Sequence, residues 1–202
     1  MEFVEKVKGI LTEPSKTFDA LKEETIGEAI KYYAVIVAIY AVLSALLFSL
    51  AFGSMFGQLG TMMGAGATGG IAMFMILFIF GIIGIFISSA IFHIFVYLVG
   101  GRKGLSQTIK AVIYGSTPGL LFGWIPIIGM IAGIWSLVLE VLGIRQLHEI
   151  TTGKAILAVV IMLVILTVLI TVILAAVIAA FVFGISGEMP RKRLSTFSVL
   201  TF

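Results

Sequence analysis

Three stretches, Tyr32–Phe52, Ile71–Gly100 and Ala155–Phe183, contain no Asp, Glu, Lys or Arg and are apolar almost throughout. A helix rises about 1.5 Å per residue, so roughly 20 apolar residues cross about 30 Å of hydrocarbon, and each stretch is long enough to do so. In lipid every backbone N–H and C=O must be bonded internally, so such runs predict helices. The rest of the chain does not dilute them: 60 % of all residues are hydrophobic and 11 % charged, with a mean hydropathy of +1.22. A soluble domain needs far more polar surface, so the expected class is an all-α integral membrane protein.

Between the second and third of these stretches, Thr108–Ile144 is one long apolar segment interrupted at Pro118 and at Gly123-Trp124-Ile125-Pro126. Two prolines and a glycine turn fit two shorter helices forming a hairpin better than one helix. This gives five transmembrane helices, at about 32–52, 71–100, 107–122, 126–144 and 155–183, with a short amphipathic N-terminal segment. The organisation expected is a cytoplasmic interfacial segment 1–31, a membrane domain 32–183 and a C-terminal tail 184–202.

Orientation follows from the basic residues. Lys6, Lys8, Lys16, Lys22 and Lys31 precede the first span, Arg102, Lys103 and Lys110 follow the second, and Arg145 and Lys154 follow the fourth. All of these belong to one side, so the protein is expected in the cell membrane with its N-terminus cytoplasmic and its C-terminus outside. Arg191, Lys192 and Arg193 in the tail dissent. A re-entrant hairpin at Thr108–Ile144 leaves the orientation unchanged, because its ends return to the same side. The start, MEFVEKVKGILTEPSKTFDALKEE, is mixed in charge and lacks the short apolar run of a secretory leader. Phe3, Val4, Val7, Ile10 and Leu11 share one helical face, as in a helix lying in the interface plane. Pro14 suits the first turn of a second helix running toward Glu23-Glu24, which either packs on the span ends or offers a surface to a partner.

Several chemistries are excluded. The absence of cysteine removes disulfides and thiolate metal sites, and no phosphate loop, zinc spacing or nucleophile elbow occurs. The segment Gly53–Gly70, with seven glycines and three methionines, reads as a flexible loop, and its methionines lack the His or Cys that a copper site wants. No cofactor and no metal is expected. The net charge of +3 is placed by topology rather than gathered in a patch, so nucleic acid is not an expected partner.

Small residues recur at helix-repeat spacing: Ala34, Ala38, Ala41 and Ala45; Gly84 and Ser88; Gly129 and Gly133; Thr167, Thr171 and Ala175. Such stripes mark close helix contacts, within one chain or between copies. The polar residues at membrane depth are fewer. His93 lies about 10 Å in from the end of the second span and Glu140 about one turn in from the end of the fourth. Intramembrane polar groups are costly, so each needs a partner, water or a function. Pro118 lacks an N–H, so the Tyr114 carbonyl is expected to lose its helical hydrogen bond, and the Ser116 and Thr117 hydroxyls are the groups at hand to satisfy freed carbonyls. His93, Tyr114, Ser116, Thr117, Pro118 and Glu140 therefore form the candidate intramembrane polar site. Ser89, one turn before His93, is the only nearby pairing that resembles a nucleophile with its base.

Longer segments carry a family likeness. GRKGLSQTIKAVIYGSTPGLL (Gly101–Leu121) and IWSLVLEVLGIRQLHEITTGKAILAV (Ile134–Val159) resemble the Yip-domain family of Ypt-interacting membrane proteins. The likeness includes the basic loop, the Tyr-x-x-x-Pro break at Tyr114 and Pro118, the His148 turn and Lys154-Ala155 opening the last span. EPSKTFDAL (Glu13–Leu21) resembles the Pro-x-x-x-Phe lead-in of prokaryotic members. The resemblance implies a five-span domain with a cytoplasmic N-terminus. Eukaryotic relatives bind lipidated small GTPases and one another and influence membrane shape. This chain carries neither their long N-terminal region nor the Asp-Leu-Tyr-Gly-Pro motif, so a small GTPase partner is not carried over. The expectation is a non-enzymatic scaffold that organises membrane or recruits partners, with the bilayer, further copies of itself or other membrane proteins as its contacts. The alternative is a small transporter or channel that uses the broken third helix.

Overall fold

The computed structural model describes the backbone of residues 1–62 and 67–187, and the side chains of residues 1–51 and 68–181. All regular structure among them is helical: α1 (Phe3–Thr12), α2 (Pro14–Ala20), α3 (Ile26–Met62), α4 (Ala67–Leu98), α5 (Leu105–Gly115), α6 (Thr117–Phe122), α7 (Pro126–His148) and α8 (Thr152–Gly187). Four are long and apolar enough to cross a membrane, over Ile26–Ala51, Thr68–Leu98, Pro126–His148 and Thr152–Phe181. The third expected span is instead two helices of 11 and 6 residues.

Proline sets most of the boundaries. Pro14, Pro118 and Pro126 all sit in the first turn of a helix, where the missing N–H is not needed. Pro118 is thus the second residue of α6, and the break lies two residues before it, at Ser116. Ile125, ahead of Pro126, is extended (φ −98°, ψ 113°), as crowding by the ring requires. At the other end of α7, Glu149 takes the left-handed conformation (φ 54°), and the Ile150 N–H closes the helix on the Arg145 carbonyl at 3.2 Å.

The expected Gly53–Gly70 loop is largely helix, since α3 runs to Met62 and α4 starts at Ala67; residues 63–66 lie outside the described set. Glycine costs about 1 kcal/mol in a helix, but leaving backbone groups unpaired in an apolar setting costs more. Arg191, Lys192 and Arg193 also lie outside the described residues.

The chain divides into two units, Met1–Ile161 and Met162–Phe202. In the first, α3 and α4 pack antiparallel: the Tyr33 hydroxyl donates to the Gly81 carbonyl (3.2 Å), and a Cβ on Gly81 would stand 2.7 Å from Val37 Cγ2. The hairpin of α5, α6 and α7 packs beside them, and α2 lies against α7. Phe18 and Leu21 are fully buried there, so the lead-in docks on helix ends, Phe18 alone contributing about 1.5–3 kcal/mol by burial. In the expected amphipathic helix α1, Phe3 and Ile10 turn inward and Val4 outward, while Lys6, placed by its charge on the polar side, is buried and paired with Glu24. In the second unit the described side chains of α8 are exposed from Val164 onward, and the Thr167 and Thr171 hydroxyls each donate to the carbonyl one turn back at 2.8 Å. That satisfies both hydroxyls within their own helix.

Candidate functional site

Glycines let α5 and α6 approach α7 closely. A Cβ on Gly115 would stand 2.7 Å from Glu140 Cγ and 3.0 Å from the Glu140 amide nitrogen, and one on Gly143 would stand 2.9 Å from the Phe18 ring. Gly119 N–H, one of the unpaired donors in the first turn of α6, finds the Ser136 hydroxyl of α7 at 2.9 Å. Backbones this close bring polar side chains of different helices together.

Two polar clusters result. The first joins three helices through one hydroxyl: Thr108 Oγ of α5 lies 2.7 Å from His93 Nδ1 of α4 and 2.9 Å from His148 Nε2 at the end of α7. The imidazole centroids are 5.9 Å apart. The hydroxyl has one proton, so one ring nitrogen must donate and the other accept. His148 Nδ1 is buried with no hydrogen-bond partner among the described residues. An orphaned acceptor is tolerated better than an orphaned N–H, which favours His148 donating from Nε2 and Thr108 donating to His93. Gly101 crowds the same ring, a Cβ there standing 3.0 Å from His148 Nδ1.

The second cluster lies at the helix break. The Tyr32 and Thr117 hydroxyls share a hydrogen bond of 2.9 Å in a fully protein-covered position, and the Tyr32 and Tyr114 rings meet at 5.0 Å. The Tyr114 hydroxyl is buried and approaches the Glu24 carboxylate without making a hydrogen bond of standard geometry. The Ser116 hydroxyl does not serve the Tyr114 carbonyl: it donates to Ile113 O at 2.9 Å, and the Ser116 N–H donates to Val112 O at 2.9 Å. Pro118, Thr117 and Tyr114 are all buried, so the break is covered by neighbouring helices.

Of the six residues singled out from sequence, Tyr114, Ser116, Thr117 and Pro118 are thus together, with Glu140 across from Gly115. His93 belongs to the other cluster. Glu140 is half-buried and makes no ion pair among the described residues, and the Arg145 guanidinium, the next cation along the chain, contacts Thr152 Oγ at 3.5 Å. The Ser89 hydroxyl is buried without a partner among the described residues, while His93 bonds Thr108, so no nucleophile–base pair forms there.

A third arrangement ties the N-terminal segment to these clusters. Lys110 of α5, almost fully buried, donates to the carbonyls of Leu21 (3.1 Å), Lys22 (2.7 Å) and Glu24 (2.9 Å). Nearby, Lys103 pairs with Glu149 at 2.6 Å and Lys22 with Asp19 at 2.9 Å. Lys103 holds the Glu149 carboxyl below its ordinary range, and Asp19 raises the Lys22 ammonium above its own. Arg102 covers the Tyr97 ring at 3.5 Å.

A family model, the Yip1 domain, matches residues 8–174. The chain belongs to the Yip1 domain family. No curated protein and no solved structure matches it significantly. Both polar clusters and Lys110 lie inside the matched Yip1 domain, as does every close glycine contact between α5, α6 and α7. Sequence reasoning missed Thr108, Tyr32, Ser136 and the three hydrogen bonds donated by Lys110 in this domain. The available signal was weak: polar side chains placed on the face that a Yip1-domain helix turns inward.

Replacing Thr108 by Val removes the shared hydroxyl and strands a ring nitrogen on each histidine. Each unmet buried group costs about 1–3 kcal/mol, so thermal unfolding in detergent should shift down clearly and Thr108→Ser should restore it. In the Thr108→Val background, His93→Ala should add little, since the two act through one network. An unshifted melting curve for Thr108→Val would contradict the assignment.

Proposed function

We propose that this multi-pass Yip1-domain protein is a non-enzymatic scaffold of the cell membrane that organises lipid or gathers membrane partners. Its helical break is the observation that carries the reading. Broken helices serve transport when their freed backbone groups face a wet cavity. Here Tyr114, Thr117 and Pro118 are covered, the Thr117 hydroxyl is spent on Tyr32 and the Ser116 hydroxyl on the Ile113 carbonyl. Lys22 lies 4.0 Å and Lys103 2.6 Å from the Glu149 carboxylate, so the N-terminal segment, the loop after α4 and the turn after α7 gather at one end, which supports a cytoplasmic N-terminus.

Proteoliposomes test this. Cross-linking in the bilayer should yield discrete oligomers, or vesicle size should change with protein density, while an imposed proton gradient decays as in protein-free vesicles. Gradient collapse that His93→Ala or Pro118→Ala abolishes would make the protein a transporter instead. Unaltered vesicles containing only monomers would remove the scaffold reading.

A further inference from the structure

Although α7 is by itself long and apolar enough to cross, the hairpin tip reaches only part of the way along the α3–α4 pair. Contacts between helices give the register directly. Near its base, Thr108 of α5 and His148 of α7 meet His93 of α4, five residues from the end of that helix. Further in, Thr117 meets Tyr32, the residue after the last charged position of α3, Lys31, whose side chain is 76 % exposed. At the tip, a Cβ on Gly123 would stand 3.6 Å from the Tyr40 ring. Tyr40 lies near the middle of the apolar span Ile26–Ala51. Beyond it the apolar span of α3 continues to Ala51, about 16 Å more at 1.5 Å per residue, whereas α7 begins at Pro126, only three residues, about 5 Å, before Gly129, which packs on Gly123. The α3–α4 pair keeps going: a Cβ on Gly70 would stand 2.5 Å from Ser49 Oγ, far past the Tyr40 level.

The chemistry of the tip agrees with this depth. Gly123 N–H bonds Gly119 O (2.7 Å), Ile125 N–H bonds Phe122 O (3.0 Å) and Gly129 N–H bonds Ile125 O (2.6 Å). The Trp124 indole N–H, which a tryptophan at a headgroup boundary would leave for water, is bonded to Leu121 O at 2.9 Å. Ile127, Met130, Ile131 and Ile134 are strongly exposed, and no charged residue occurs between Lys110 and Glu140.

We propose that α5, α6 and α7 form a re-entrant hairpin that enters and leaves on the side of the α3 N-terminus. Its tip at Gly123–Pro126 ends near the bilayer midplane, and its exposed isoleucines and Met130 contact the acyl chains of that leaflet alone. The hairpin then adds no crossing to those of α3 and α4. The hairpin takes up area in one leaflet without a counterpart in the other. This rests on the placement of the protein in a bilayer and not on the scaffold role, so either can fail alone.

Trp124 is its own depth gauge once Trp135→Phe makes it the sole indole. In vesicles of lipids brominated at successive chain positions, the full-length variant should be quenched most by bromines near the chain ends, placing Trp124 within about 5 Å of the midplane. Strongest quenching by bromines next to the headgroups, about 12–15 Å away, would mean a full crossing and overturn the proposal. The chain has no cysteine, so Ile125→Cys gives a second reading. It should resist a charged maleimide from both sides. Labelling from the side opposite the N-terminus would overturn the proposal equally.

Discussion

Gly115→Leu should abolish the folded protein, as judged by loss of the symmetrical size-exclusion peak in detergent and of a cooperative melting transition. The first added carbon would already fall 2.7 Å from Glu140 Cγ, 3.0 Å from its amide nitrogen and 3.1 Å from its Cα. The Glu140 side chain can swing aside, but the nitrogen and Cα belong to α7 and move only if the helix moves. Overpacking a well-packed contact costs about 1–3 kcal/mol where side chains yield and more where backbone must. Separating α5 from α7 would also pull Gly119 off Ser136 and Phe18 off Gly143, so the loss should exceed about 3 kcal/mol. Gly84→Leu and Gly133→Leu are the matched controls. Neither glycine has an atom within 4 Å of an added Cβ, and both should melt within about 0.5 kcal/mol of the parent. Equal behaviour of all three variants would show that the α5–α7 contact is not as close as described.

Lys110→Met should release the N-terminal segment while leaving the membrane helices assembled. The ammonium donates to three carbonyls at the end of the α2 turn, and methionine keeps the length of the stem but can donate to none. Hydrogen bonds to a charged group contribute about 1.5–3 kcal/mol each and are not additive, so a loss of about 3 kcal/mol is a conservative figure. That corresponds to roughly a hundredfold larger open population, readable as faster amide exchange over residues 3–24 in lipid nanodiscs. The buried pair of Lys6 with Glu24 should loosen in the same variant, because Glu24 is held on both sides. Unchanged exchange over α1 and α2 would mean that Phe18 and Leu21 anchor the segment unaided.

How much of this could be read from the sequence depends on the kind of interaction. The long helices follow from uncharged runs, because length and apolarity act locally and lipid forbids alternatives. Pro118 and Pro126 marked the hairpin and its break for the same reason. Gly53–Gly70 misled, since glycine suggests a loop only where water can take over the backbone hydrogen bonds. The site was partly legible. Pro118 pointed to Tyr114, Ser116 and Thr117, but their partner, Tyr32, lies 85 positions away and looks like an ordinary interfacial aromatic. His93 was conspicuous as an intramembrane histidine, whereas Thr108 and His148 sit at helix ends where polar residues are unremarkable. Lys6 and Lys110 were counted only as topological charges. Burial turned them into specific partners, and burial depends on which helices meet.

If the protein is a scaffold, the break in the third apolar segment is a dry packing corner. Thr117→Cys tests it in a chain with no other thiol, the full-length protein being held in nanodiscs and exposed to a small charged thiol reagent. The account predicts essentially no modification at position 117 while Lys16→Cys, on an exposed side chain, reacts freely. Reaction at position 117 at a rate approaching that of position 16 would mean that water reaches the break, and would contradict the scaffold reading in favour of a transport path.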